Sequence, residues 1–471
     1  MLPINDLVTA LFLFIAIVAP LSVVLFIFIT KCHVPLNRLF IMPIVFCLPL
    51  LNATLLGTIF KSGSFVNISL SDIFLVPAFF YVCHDKFLRS RNFNLPMFWL
   101  FWIYFLWIIL SLYVGTHKYD LQFFTLPNVV AVIKFPTLLA YFYVFEHFVK
   151  NDADLKTYVT AWGLSACIVA MMGIAGSLLY LFFRIDTPFA GHFRALGTFG
   201  NPNMFAGYMT MTFCLSFIYL ALGGKRWLFM IIILLSVLSV VMAASKGAFI
   251  AFFCAFMVIG LLFPRFRFKF IVTGAAAMAV LISTFFLDST IQIYSKRLFD
   301  IEGGIATSFD TRTYLWGESL KVWEENFLCG VGKDNLVKVL TGATEELGEI
   351  SQGKNKDNSG KDTKVQLVSH STYIGLLCEM GTIGLILFLA LLAVFLARLI
   401  STIIMLNPYS NAYLIMVSML AALVGVMTQG GVTNVEDSRS FWMLLGLIYS
   451  VSERIRSQEF DKTMLKPSSS V

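Results

Sequence analysis

The chain has 471 residues, is 58% hydrophobic and only 13% charged, and carries a formal net charge of +7 with a mean hydropathy of +0.83. So apolar a composition excludes a soluble domain wrapped around one core and requires a polytopic membrane protein. The basic residues are spread over short loops instead of gathered on one face, so the positive charge does not describe a nucleic-acid surface.

In chain order, apolar runs fall near residues 7–29, 39–59, 68–83, 96–114, 126–148, 158–183, 204–222, 227–244, 247–263, 270–287, 372–397, 412–428 and 441–451. Most approach the ~20 residues that span a ~30 Å hydrocarbon layer, and the short runs at 68 and 441 leave the total at about 12 or 13. Strand alternation is absent, and lipid admits only helices or closed barrels. The expected fold is therefore all-α, a polytopic bundle of about 12–13 transmembrane helices with one large periplasmic loop domain. The first run is too long for a signal h-region and lacks a small-residue cleavage site, so it is read as a retained span.

Residues 1–287 are expected to hold the N-terminal spans, 288–370 the loop domain, 371–453 the C-terminal spans and 454–471 a cytoplasmic tail. Basic residues alternate between loops, with about seventeen in one set (among them Lys31, Arg89, Lys150, Arg226, Arg267, Arg398 and Arg454) against about six in the other short loops. The positive-inside rule puts the first set in the cytoplasm, and the loops near 184–203, Lys246, 288–370 and 432–439 on the outer side. In the loop domain Asp310 is the expected N-cap of a helix on which Leu315, Trp316, Leu320 and Trp323 recur. Residues 348–364 offer almost nothing to bury and are expected to be mobile.

Eight cysteines form no disulfide pattern, since only Cys329 lies well outside the apolar runs on the outer side. No metal-ligand spacing, dinucleotide fingerprint or P-loop is present, so neither a metal nor a cofactor is expected.

The outer-side cations are Arg184, Arg194, Lys246, Arg297 and Arg312. Lys246 lies in a hinge of almost no length, Ala243-Ala244-Ser245-Lys246-Gly247, where it either snorkels or meets an anion. Arg312, at the start of the expected helix, either faces an anion together with free backbone N–H groups or pairs with Asp310. Lys134, inside an apolar run and bracketed by Pro127 and Pro136, is either functional or snorkelling, with a kink expected in its helix. The cluster Gly197-Thr198-Phe199-Gly200-Asn201-Pro202-Asn203 reads as a tight turn with Asn203 as candidate N-cap.

His370-Ser371 is followed, after nine intervening residues, by Gly381-Thr382-Ile383-Gly384. On a continuous helix His370, Gly381 and Gly384 would share one face, with the glycines admitting another helix. With Ser369 or Ser371 as cap, His370 falls in the first turn, where the helix dipole and burial keep its imidazole neutral and able to accept a proton; the alternative is an ordinary surface or capping histidine.

Four stretches in order resemble the O-antigen ligase and polymerase superfamily: Gly197 to Asn203, Ser245-Lys246-Gly247, Arg312-x-x-x-Trp316 continuing to Gly330-Val331-Gly332, and His370-Ser371 through Gly381 and Gly384. The resemblance spans roughly residues 190–400 and departs from the family at Lys246, where arginine is usual, and at Leu328-Cys329, where a proline is usual. It implies a metal-independent, inverting transfer from an undecaprenyl-pyrophosphate-linked glycan to an acceptor hydroxyl at the outer face of the bacterial inner membrane. It further implies His370 as catalytic base and Arg312, Lys246 and Arg194 as pyrophosphate ligands, with Ser371, Gly381, Gly384, Asn201, Asn203 and Trp316 as motif positions. Lipid A-core, a second lipid-linked glycan (polymerisation of O-antigen or exopolysaccharide) and a protein hydroxyl all stay open as acceptors; partners are lipid and glycan, not nucleic acid. From another class, a secondary transporter would show repeated halves and paired broken helices, which the sequence lacks.

Overall fold

In the computed structural model the described residues are 36–49, 69–89, 95–264, 267, 305–342 and 371–457. The runs at 7–29 and 270–287, Arg297, the 348–364 stretch, His370 and most of the C-terminal tail lie outside them. Among the described residues the chain forms α1 (Leu36–Cys47), α2 (Leu70–Cys83), α3 (Phe98–Lys118), α4 (Leu126–Phe148) and α5 (Asp152–Phe183). A two-residue hairpin, β1 (Ala190–Gly191) and β2 (Arg194–Ala195), leads to α6 (Pro202–Ala221), α7 (Arg226–Met242) and α8 (Lys246–Leu262). After these come α9 (Ile305–Glu325), α10 (Leu336–Gly342), α11 (Thr372–Met405), α12 (Asn411–Gln429) and α13 (Arg439–Arg456).

Six of these helices, α3 to α6, α11 and α12, are long and apolar enough to cross a membrane, and α7 and α8 are shorter apolar helices. The chain is a multi-pass helical membrane protein. Its outward faces carry Trp99, Trp102, Leu106 and Leu110 on α3 and Met171, Leu178 and Phe182 on α5, side chains that lipid accepts. Inside, where lipid removes most of the hydrophobic drive between helices, close packing decides. Trp162 stacks on Tyr208 at 4.8 Å, and Phe101 meets both Phe142 and Trp442. A Cβ at Gly425 would lie 3.2 Å from Ala255 and Thr210, so α12 sits against α8 and α6 with almost no side chain between them.

Helix starts follow local chemistry. Ser69 and Asp72 form a reciprocal capping box on α2, and Asn151, Ser245, Ser371 and Ser410 each accept from an early N–H of the helix they open. Pro127 stands in the first turn of α4, which has no N–H to lose, and the helix continues through Pro136. Asp310 is not a cap: α9 begins at Ile305, so Arg312 lies two turns in, away from the free N–H groups expected beside it. On α9 Leu315 is buried and Trp323 packs against Val331, Leu336, Leu340 and Cys378, but Leu320 faces outward.

The largest departure from a regular bundle is in α11, broken at Gly381 with φ 69° and ψ −176°. The helix face expected to run through Gly381 to Gly384 is therefore interrupted at Gly381. The break frees carbonyls and N–H groups that the preceding loop satisfies: Val331 and Gly332 donate to the Cys378 and Glu379 carbonyls at 3.0 and 2.7 Å, and Thr382 N–H donates to Phe327 at 2.9 Å. From α3, Trp107 Nε1 donates to the Met380 carbonyl and Ser111 Oγ to that of Glu379. Gly381 thus admits a loop backbone, not the expected helix, and Gly384 faces Met380 and Trp107. A Cβ on Gly381 would stand 2.1 Å from the Leu328 carbonyl oxygen and force a left-handed alanine. Gly381→Ala is expected to cost about 1–3 kcal/mol in backbone strain alone, read as earlier thermal unfolding of the solubilised protein.

Candidate functional site

One end of the bundle gathers the hairpin, the start of α6, the α7–α8 turn, the start of α11 and the α12–α13 turn. Asn201, not Asn203, caps α6, accepting from Asn203 N–H at 2.8 Å with Pro202 in the first turn. Asn203 is released to tie elements together: its Oδ1 lies 3.5 Å from the Arg194 guanidinium, and its carbonyl accepts from Gln429 Nε2 at 3.0 Å. Arg194 Nε donates to the Ala243 carbonyl at 3.0 Å, binding the hairpin to the α7–α8 turn. That turn has the brevity expected of it, with Ala244 at φ 47° and Ser245 capping α8. Lys246 is half-buried in the first residue of α8, a cation at the positive end of a helix, which an anion there would offset.

Gly247 follows, and a Cβ there would lie 2.1 Å from Val432. Val432 precedes Thr433, which holds the start of α11: the Thr372 N–H donates to Gly430 at 2.8 Å, Thr372 Oγ1 donates to the Thr433 carbonyl at 2.9 Å, and Val435 N–H donates to Thr372 Oγ1 at 2.8 Å. Ser371 caps α11, whose first residue is Thr372, and His370 lies outside the described residues. Arg312 is described only as part of α9, and Trp316 lies on the same helix, partly buried. The structure thus links Arg194, Asn201, Asn203, the Lys246 turn and Ser371 through residues 429–433, a segment that carries no motif of its own.

Beside this link lies a buried ionic cluster. Lys333 is buried with Glu379 and Glu436 at 3.3 Å and Asp437 at 3.8 Å. Lys134 reaches Asp437 at 2.9 Å and Asp334 at 3.1 Å, so it is an ion-pair partner and does not snorkel. Burial would lower the Lys333 ammonium, but Asp437, Glu379 and Glu436 outweigh it and hold the group charged, well above the ordinary lysine value. Burial would likewise raise Asp437, yet Lys333 and Lys134 hold it at about 2. Glu436 goes the other way, pushed up by burial and by Asp437, which Lys333 does not fully offset. A second pair closes the far side: Arg439 grips Asp72 through two hydrogen bonds of 2.8 and 2.6 Å, while Tyr141 and the Ser69 N–H also donate to that carboxylate. Among the described residues no three His, Cys, Asp or Glu side chains converge as metal ligands.

Residues 231–389 match a family described as O-antigen ligase. Over that segment, about a third of the chain, the protein is similar to the O-antigen ligase superfamily. The ligase segment holds the Lys246 turn, the Gly330-Val331-Gly332 loop and the broken helix at Gly381, but not Arg194, Asn203 or the 429–439 turn. The match supports a function of O-antigen ligase or polymerase type. Comparison with curated proteins gives no match.

Proposed function

We propose that this protein is an inverting membrane glycosyltransferase that moves a glycan from an undecaprenyl-pyrophosphate donor to an acceptor hydroxyl at the periplasmic face of the bacterial inner membrane. The observation that carries this reading is the linkage of Arg194, Asn203, the Lys246 turn and the start of α11, two residues beyond His370 in the sequence, within a single hydrogen-bonded group. The acceptor oxygen attacks the anomeric carbon as the bond from that carbon to the diphosphate oxygen breaks. The leaving diphosphate keeps the electron pair, and the acceptor's proton passes to the His370 imidazole. Diphosphate is a good leaving group, so the protein's work is positioning and charge stabilisation by Arg312, Lys246 and Arg194. Lysine in place of arginine at 246 supplies charge without a bidentate fork.

Purified protein in lipid, supplied with the host's lipid-linked glycan and its acceptor, is expected to release undecaprenyl pyrophosphate and form a glycoside of inverted anomeric configuration by NMR. A chelator should leave the rate within about two-fold, because the charge is met by side chains. A product of retained configuration, or loss of activity on chelation, counts against the scheme. Lipid A-core as acceptor makes the protein a ligase, and a second lipid-linked glycan makes it a polymerase; the same assay separates them by product length.

A further inference from the structure

The buried ionic cluster is short of positive charge. Among the described residues four carboxylates, Asp334, Glu379, Glu436 and Asp437, face two ammonium groups, Lys134 and Lys333. Asp334 and Asp437 reach water, with side chains 38% and 27% exposed, but Glu436 is only 5% exposed. Its Oε1 lies 3.3 Å from Lys333, while its Oε2 is buried and has no hydrogen-bond partner. An anion with one oxygen cut off from both water and donors is costly, and a buried carboxylate so placed neutralises by taking up a proton. We propose that Glu436 is a proton-binding site whose O–H donates to the Thr372 hydroxyl and fastens the α12–α13 turn to the start of α11.

The neighbours of Glu436 single out a proton as the ligand. The Thr372 hydroxyl is close enough to act on the carboxyl, but its one hydrogen is committed to the Thr433 carbonyl at 2.9 Å. It accepts from Val435 N–H and keeps a second lone pair. Thr372 therefore has nothing to give a carboxylate and a place to receive a carboxylic acid. Other titratable groups around the cluster are engaged elsewhere: Tyr104 on α3 donates to Met380 Sδ, and Tyr373 on α11 to the Met427 carbonyl. Arg439 holds Asp72, and Lys338, which acts on Asp334, holds Asn128 and Asn335. Glu379, on the same Lys333, shares the one cation that Glu436 meets. Burial pushes the Glu436 carboxyl above its ordinary value, and Asp437 adds to burial, by more than Lys333 offsets.

A proton needs no cavity to arrive. Lys333 can pass one to Oε1 and recover one from water through Asp437, 3.8 Å away, after which the carboxyl turns to present its O–H. The joint it closes is already the anchor of α11, where Thr372 N–H meets the Gly430 carbonyl. Because the folded protein binds this proton more tightly than the unfolded chain, the stability it adds is full below the ordinary glutamate range. That stability is lost as the pH rises through the raised value.

The test is infrared difference spectroscopy and thermal unfolding of the full chain in nanodiscs as a function of pH. The unaltered protein is expected to show a carboxylic-acid C=O band that disappears as the pH rises, and Glu436→Gln should lack it. The amide of Glu436→Gln donates to Thr372 at every pH. This variant should therefore unfold with the unaltered protein at acid pH and at a higher temperature once the Glu436 proton is gone. Asp437→Asn removes the like charge and should shift the loss of the band to lower pH; it decides the matter if Glu436→Gln does not fold. Absence of the band from the unaltered protein overturns the proposal. So does a band that survives in folded Glu436→Gln, as it would if Glu379 carried the proton, a gap in unfolding temperature that pH does not alter, or a band unmoved in folded Asp437→Asn. Neither measurement involves glycan transfer, so the proton site and the glycosyltransferase reading can fail separately.

Discussion

Replacing Lys333 by methionine is expected to destabilise the protein by about 3–5 kcal/mol, the cost of stranding buried carboxylates when one member of an ion-pair cluster is removed. Lys333 is the one cation within 4 Å of both Glu379 and Glu436 among the described residues, and two loops and α11 meet on it. Methionine keeps the length of the side chain and removes the charge, so lost packing contributes little. The measurement is thermal or denaturant unfolding of the solubilised protein, with the double variant Lys333→Met, Glu436→Gln as control. That second change removes one of the stranded charges and should recover part of the loss, giving a non-additive cycle. Equal stability of Lys333→Met and the unaltered protein would show that the cluster is not buried as described.

His370→Ala is expected to reduce glycan transfer by about 10²–10⁴-fold, the usual contribution of a general base, while the protein inserts and folds normally. Folding should be spared because the anchoring at this point is done by its neighbours: Ser371 caps α11, and Thr372 is bound to Gly430 and Thr433. Donor KM should change little, since proton acceptance belongs to the transition state and not to binding. Transfer at the original rate would remove His370 from the mechanism, and loss of folded protein would make it structural.

What the sequence disclosed and concealed at this site follows from the range of the interactions. The α7–α8 turn, the Ser371 cap and the tight turn before α6 were legible because each depends on residues a few positions apart. Asn201 and Asn203 were harder to tell apart, since both are good caps, and only the tertiary bonds to Arg194 and Gln429 show why the second is needed elsewhere. The break in α11 was hidden by a sound periodicity argument: eleven- and fourteen-residue spacing returns to one face only if no residue between leaves the helix, and Gly381 does.

The ionic cluster eluded prediction for two reasons. Asp72 and Glu379 lie inside apolar runs, and the rule that drew attention to Lys134 applies to them equally. Lys333, Asp334, Glu436 and Asp437 lie in loops, where charges are ordinary, and nothing local distinguishes a solvated lysine from one enclosed by three carboxylates. Most of their partners are a hundred or more residues away, as with Lys333 and Glu436 or Lys134 and Asp437.

That separation bears on how the molecule is made. Arg439 closes on Asp72 across 367 positions, and Lys134 waits for Asp437 across 303. During synthesis the early helices enter lipid carrying charges whose counterparts have not been translated, so they must rest near water or beside a helper until α13 arrives. The last hairpin therefore works as a clasp, and a chain stopped before it lacks the counter-ion of Asp72 and one of the two carboxylates that meet Lys134.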